Sequence, residues 1–485
     1  MLNISLKKFK LLHQKKQNQV IFYSIKSSGK KEIINLINNF LIEKNSFVFE
    51  SVEKGIIKGR YTIFGKNPDK IWEFNSNKCY YYNDEKIKKK IKGDPKKIIE
   101  KIIEKFKFKI PKSLPPISSI LSGYFSYDII RYIEKIPNSC SDDLNIPDAR
   151  LIRPRNLVIH DNLKKEIYFI VNCFADEKIN NYYKKFLKIK KEIENLIFLS
   201  SYNSISENSK KLNKINIKSN ISKKKFISNV NKAKNYIKIG DIFQVVLSQR
   251  FEAKLSKNPI EIYKKLRINN PSPFMYFFNF DDFQIIGASP EILVRLRNNK
   301  ITIRPIAGTR PRGKNKKEDK FYEKDLLKDK KELSEHLMLL DLGRNDTGKV
   351  SKINSVRVTE KFVIEKYSHV MHIVSNVVGD FNKKFSKFDT LLSGFPAGTV
   401  SGAPKIRAME IIDELENTKR KVYAGGIGYF SANGDFDTCI ALRTAISKNN
   451  KFYVQAGAGI VADSKATNEY QETINKAKAL LKSLE

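Results

Sequence analysis

Cysteine is scarce: four residues in 485, Cys79, Cys140, Cys173 and Cys439, with no CxxC pair among them. That excludes a disulfide framework and a cysteine-based zinc site, and it fits a reducing cytoplasm. Long apolar runs are missing as well. No stretch of about 18 apolar residues occurs, so no membrane span is expected. The opening MLNISLKKFKLLHQKK lacks the apolar core of a signal peptide. Its basic character resembles a transit peptide, but a functional stretch already begins near Phe47 and leaves little room for one. Acid is scarce relative to base: 52 Asp and Glu against 91 Lys and Arg, a net charge of +39. Such a surplus raises the idea of a basic nucleic-acid-binding protein. The lysines, however, are spread along the chain among Ile, Asn, Phe and Tyr. That mix follows from A/T-rich codons acting on tolerant surface positions, and no nucleic-acid partner is expected.

What is present is enough apolar residue, 41%, to build a real core. The length allows one large domain or two to three ordinary ones. Residues 31–44, 94–109 and 181–197 have helical periodicity. FVFES and GRYTIFG are expected strands joined by a turn, IWEF and KCYYY continue as strands, and residues 120–134 read as a strand running into a helix. NLVIHD and EIYFIVN read as a hairpin. The Ser/Asn/Lys-rich stretch 200–221 reads as a linker or exposed loop. Ser222 is placed to cap a helix ending at Gly240. IFQVVLSQRF, MYFFNF, QIIGAS, ILVRLR and ITIRPIAG follow as strands. Many hairpins and few βαβ signatures predict α+β with antiparallel sheets.

The chemistry concentrates in the last third. Glu332 and Glu335, in KELSEHLMLLDLGRND, sit three residues apart on one helix face. Glu469 and Glu472, in DSKATNEYQETINKAKALL, do the same. Mg²⁺ takes one or two carboxylates plus waters and substrate oxygens, so two such helices suit it. They could equally be solvent-facing helix acids, and Lys476 is a ready i+4 partner for Glu472. Gly457–Ala458–Gly459 reads as a turn between a strand and a helix, whose N–H groups could cradle an anion. Arg443, in ALRTA, reads as a strand residue among small and apolar neighbours, where it would need a carboxylate. His369 and His372 have ligand spacing. With no Cys or third His nearby, a proton-transfer or hydrogen-bonding role for one of them is preferred over a metal site, and a satisfied core His is the competing reading.

IRPIAGTRPRG, SEHLMLLDLGRNDTGKV, FPAGTVSGAPKIRAMEIID, YAGGIGY, ALRTA, QAGAGIV and NEYQETINKA occur in that order. Together they resemble the chorismate-utilising enzyme family from about Phe226 to the C-terminus. FVFES and GRYTIFG resemble the companion part of the family's anthranilate-forming branch. The resemblance implies a large two-sheet antiparallel sandwich wrapped by helices, and three parts: a companion and regulatory region 1–199, the linker 200–221, and a chorismate-binding region 222–485. It implies Mg²⁺ on Glu335 and Glu472, with Glu332 and Glu469 acting through water. Gly308, Thr309, Tyr423, Arg443, Gly457, Ala458 and Gly459 would meet chorismate. Glu291, in GASPE, matches the acid that protonates the leaving hydroxyl, and His372 the histidine of the elimination step.

The implied reaction joins chorismate and ammonia and releases anthranilate and pyruvate, a lyase step that opens tryptophan synthesis. Relatives that use water carry a lysine base where this chain has Gln244. The sister branch, which makes 4-amino-4-deoxychorismate for folate, typically carries a lysine nucleophile in PIKGT, where this chain has Ala307. None of the four cysteines has a glutaminase setting. The resemblance therefore implies a separate glutamine amidotransferase subunit, in a heterotetramer of two large and two small chains. Ser51, in FVFES, and Pro273, Phe274 and Met275, in NPSPFM, match a tryptophan pocket, so feedback inhibition is expected. Phe49 is bulkier than the family's Leu and could crowd that pocket.

Overall fold

The strand Phe274–Asn279 shows the plan of the molecule. Successive side chains of a strand point to opposite faces. Met275 and Phe277 enter one apolar core, whereas Tyr276 and Phe278 enter another. The neighbouring strand Ser46–Glu50 divides the same way, Val48 to the first core and Phe47 to the second. A sheet buried on both faces needs a cover on each, and here the covers are helices on one side and a second sheet on the other.

The structure is a computed structural model that describes residues 2–53, 56–57, 59–76, 78–83, 87–202, 215–367 and 370–484. Two long antiparallel leaves share the paired strands Tyr61–Asn75 and Ala149–Asp161. Near Asp161 the pair is flanked by Glu166–Cys173, then Gln19–Lys26. On its other side this leaf runs through Ser46–Glu50, Phe274–Asn279, Gln284–Ser289, Thr444–Lys448, Lys451–Ile460 and Gln244–Lys254. Near Ala149 the second leaf departs through Ile120–Phe125, Gly426–Ser431, Phe436–Ile440, Ile292–Arg297, Lys300–Ile303 and Val370–Asp380. Val370–Asp380 also pairs Ile306–Pro311 and Arg357–Lys366.

The core between the leaves is aromatic, with Phe47, Tyr124, Tyr276 and Phe278 fully buried. Helices Leu6–Gln14, Lys30–Phe40, Tyr182–Ser201 and Ala466–Lys482 cover the first leaf through Phe9, Leu36, Ile189 and Ala477. Pro95–Lys105 and Lys387–Ser393 cover the second through Ile99 and Phe388, and Lys405–Leu415 packs on Gln244–Lys254. The antiparallel α+β sandwich wrapped by helices is the architecture expected from the sequence.

Several local expectations change. Residues 120–134 hold the expected strand, but a 3-10 helix, Tyr127–Tyr132, follows it in place of an α-helix. GRYTIFG and IWEF are one strand of 15 residues, irregular at Pro68, which has no N–H to give the ladder. ITIRPIAG is two strands, broken at Pro305 for the same reason. In the stretch 200–221, Ile217–Ser219 is an edge strand against Gln244–Lys254, and 203–214 lie outside the described residues. Ser222 does cap Lys223–Lys238, accepting from the Lys225 N–H. Strands from before and after that stretch share ladders, Ser46–Glu50 with Phe274–Asn279 and Ile120–Phe125 with Gly426–Ser431.

Candidate active site

Helix Lys330–Gly348 starts at Asp329, whose carboxylate accepts from the Lys331 and Glu332 N–H groups. The helix lies on the strands Ile306–Pro311 and Val370–Asp380. His336 anchors it, its buried Nε2 within 2.7 Å of Ser375 Oγ. This fixes Glu332 and Glu335 on the side facing Ala466–Lys482. Burial is the main cause that raises Glu332, Glu335 and Glu469 above the ordinary carboxylate range. Repulsion adds to it, and Glu472 contributes to all three. Glu472 itself holds Lys476 Nζ at 2.6 Å.

Among the described residues no three acidic, His or Cys side chains form a finished metal cage. Mg²⁺ does not need one, because waters and substrate fill most of its shell. Mutually repelling, half-desolvated carboxylates on facing helices fit a divalent cation, which would remove the repulsion. The donor set therefore suits Mg²⁺.

Gly308 is the next built feature. It lies in a bulge between Ala307 and Thr309, with φ +67°, a conformation that favours glycine. A Cβ there would stand 3.1–3.3 Å from Leu326, Ile373 and the Glu332 carboxylate. The bulge turns the Gly308 carbonyl to His372 Nδ1 at 2.9 Å, and Thr309 Oγ1 lies 3.1 Å from the same nitrogen. A carbonyl only accepts, so Nδ1 carries the proton and Nε2 keeps a free lone pair. Burial, then Arg443, lower the His372 pKa against the pull of Gly308 and Glu365. The imidazole is thus neutral near pH 7 and is a base. His369 lies outside the described residues.

Arg443 is not within a strand, contrary to the sequence reading. It sits between Phe436–Ile440 and Thr444–Lys448 with φ +47°. Its side chain reaches solvent while protein surrounds it, as in a cleft, and this desolvation lowers its pKa. The described residues provide it no carboxylate partner. A desolvated guanidinium of this kind is a receptor for a carboxylate.

Gly457–Ala458–Gly459 is not a turn. It lies inside Lys451–Ile460, opposite Ser248, Leu247 and Val246, so it forms no anion nest. Its glycines make room. A Cβ on Gly457 would be 2.6 Å from the Tyr423 hydroxyl, and one on Gly459 would be 2.7 Å from Gln244 Nε2. Gln244 and Glu335 face a common cavity of about 600 Å³, with Phe243, Met338 and Val461 in its wall.

Glu291 is buried, and Thr399 Oγ1 donates to its Oε1 at 3.0 Å. Among the described residues no cation offsets the charge, and burial pushes its pKa up to about 8. At neutral pH it holds a proton to give. Thr399 had no role in the sequence reading; it lies 108 positions from Glu291, and no spacing links the two.

A cavity of about 540 Å³ is lined by Ser51, Pro273, Phe274 and Met275 with Phe49 and Tyr429, and Tyr367, whose ring meets His372, also lines it. Phe49 does not fill it. Its ring leans on Phe278 and Tyr429, at 5.4 and 5.8 Å between centroids. Glu50 points away, to Tyr263 and Arg267.

Residues 59–482 match the family described as chorismate binding enzyme. The chain belongs to the chorismate-binding enzyme family. Two curated relatives in it are the anthranilate synthase component 1 proteins of Cereibacter sphaeroides and Acetivibrio thermocellus. The first is 45% identical, over 97% of this chain and 95% of that protein. The second is 47% identical, over 93% of this chain and 92% of that protein. The crystal structure of anthranilate synthase component I from Streptococcus pneumoniae superposes with a TM-score of 0.78 at 40% identity, covering 88% of this chain and 93% of that one. The menaquinone-specific isochorismate synthase of Escherichia coli shares the family fold, with a TM-score of 0.70 at 16% identity.

Proposed function

We propose that this chain is the large component of an anthranilate synthase, converting chorismate and ammonia to anthranilate and pyruvate. The observation that carries the reading is a protonated acid, Glu291, together with a neutral base, His372, whose charge is influenced by Arg443, a guanidinium with no carboxylate partner among the described residues. Arg443 and Tyr423 receive one substrate carboxylate, beside the space cleared by Gly457, Ala458 and Gly459. Gly308 and Thr309 set His372. As ammonia bonds to ring carbon 2, Glu291 protonates the 4-hydroxyl, which leaves as water. His372 Nε2 then takes the proton from carbon 2. That electron pair aromatises the ring and expels the enolpyruvyl oxygen, and protonation of the enolate gives pyruvate. Glu335 and Glu472 would hold Mg²⁺, with Glu332 and Glu469 acting through water, and the ion would supply positive charge for the ring carboxylate.

Ammonia is the nucleophile because Gln244 cannot deprotonate water and Ala307 cannot attack the ring. The thiols cannot generate ammonia from glutamine. Burial pushes Cys79 up to about 11 and Cys140 and Cys173 up to about 12, and raises Cys439 further. A glutaminase needs the thiolate. An amidotransferase subunit therefore supplies ammonia, in a two-plus-two heterotetramer. Residues 1–199 form the regulatory companion to the catalytic region 222–485, with 200–221 between them. Tryptophan occupies the cavity at Ser51, Pro273, Phe274 and Met275, and the enzyme works in the cytoplasm. No described helix is long and apolar enough to cross a membrane.

The test is the product formed by the purified chain from chorismate, Mg²⁺ and ammonium. Fluorescent anthranilate is expected; release of 4-amino-4-deoxychorismate in its place would assign the chain to the folate branch.

A further inference from the structure

A base held at one ring nitrogen is only half fixed. The contacts of Nδ1 to Gly308 and Thr309 hold that edge of the His372 ring, but the opposite edge, which carries Nε2, is not fixed by them. The second restraint is Tyr367. Its ring meets that of His372 edge-on, with 5.5 Å between centroids and 61° between planes. Tyr367 is itself held at three points. Its hydroxyl donates to Glu365 Oε2 at 2.8 Å. Its carbonyl accepts from Arg312 Nη1 at 2.6 Å, and its N–H donates to the Val370 carbonyl at 2.8 Å. Glu365 is fixed in turn by the Arg304 guanidinium, which also reaches Glu360 at 3.0 Å. Burial and Glu365 keep the phenol protonated, so it remains a donor.

We propose that Tyr367 is a positioning residue for the elimination step: tethered to Glu365, it fixes the His372 ring so that Nε2 faces ring carbon 2. The proposal rests on the assignment of His372 above. It implies that loosening Tyr367 slows proton removal more than ammonia addition. The aminated, unaromatised intermediate should then escape. Tyr367 also shields His372, so its loss admits water and lets the imidazole rise toward its ordinary pKa. The other charged or polar groups facing His372 are the Gly308 carbonyl, the Thr309 hydroxyl, Glu365 and Arg443, and none of these residues is replaced in a Tyr367 variant.

The test uses the full chain with chorismate, Mg²⁺ and ammonium. Anthranilate is followed by fluorescence and the intermediate by chromatography. Tyr367→Phe and Glu365→Ala should each slow anthranilate formation about tenfold, and Tyr367→Ala about a hundredfold, the scale of a misplaced reacting group. KM for chorismate should stay within about twofold, as for a loss confined to the transition state. The intermediate should accumulate in all three, and the acid limb of the Tyr367→Ala pH profile should move to higher pH. If Tyr367→Ala does not fold, the other two variants decide. Wild-type product partition in Tyr367→Phe and Glu365→Ala overturns the proposal, provided His372→Ala stalls at the intermediate. A His372→Ala chain with normal partition overturns the role of His372, and this proposal with it.

Discussion

Glu291 offers the sharpest test, because its environment fixes both a rate profile and a stability. Its carboxyl is moved by burial from an ordinary 4.5 to about 8. At pH 7 it is therefore about nine-tenths protonated, whereas a carboxyl at its ordinary value would be protonated in roughly 0.3% of molecules. If it is the acid, kcat/KM for chorismate should fall on the alkaline side with a midpoint near 8, measured at constant free ammonia. Thr399 donates to the carboxylate form and opposes the rise. Thr399→Val should therefore move that limb to higher pH. Glu291→Gln should abolish the limb and lower kcat by about 10²–10⁴, the usual contribution of a general acid. The same shift has a cost in stability. The folded state holds the proton that the unfolded chain releases, so this contribution is fully present below 4.5 and is lost as pH rises through 8. From 4.5 to pH 7 the loss is on the order of 3 kcal/mol, at about 1.4 kcal/mol per pH unit. Glu291→Gln should accordingly melt higher than wild type at pH 7, while being far less active. A profile without an alkaline limb near 8, or one that survives Glu291→Gln, would refute the reasoning.

Glu335→Ala or Glu472→Ala should remove activity at ordinary Mg²⁺, and should also remove the rise in Tm that Mg²⁺ gives wild type, read by thermal melting without substrate. Ser51→Ala should weaken inhibition by tryptophan and leave uninhibited anthranilate formation near normal, since Ser51 lines that cavity and is not among the residues assigned to chorismate, Mg²⁺ or proton transfer. Activity unchanged by millimolar-range tryptophan in wild type would end the regulatory reading alone. The isolated chain should release no glutamate from glutamine, and adding an amidotransferase component should confer glutamine-dependent anthranilate formation.

The sequence by itself determined whatever depends on neighbours in the chain. Three-residue spacing put Glu332 with Glu335, and Glu469 with Glu472, on single helix faces. FVFES and MYFFNF were legible as strands, and Ser222 identified a helix start. The absent lysines at Gln244 and Ala307 excluded two chemistries with no knowledge of shape. The tertiary structure decided what depends on contact between distant segments. Gly457–Ala458–Gly459 has turn composition, yet its glycines are set by Tyr423 and Gln244, which come from other strands and loops. Arg443 left the strand that its small neighbours suggested and took a left-handed backbone facing a cleft. The proton on Glu291 comes from burial, against the pull of Thr399, and the neutrality of His372 from burial and Arg443. Periodicity tells a side chain which face it occupies; only folding sets what that face meets, and desolvation there sets which groups hold their protons.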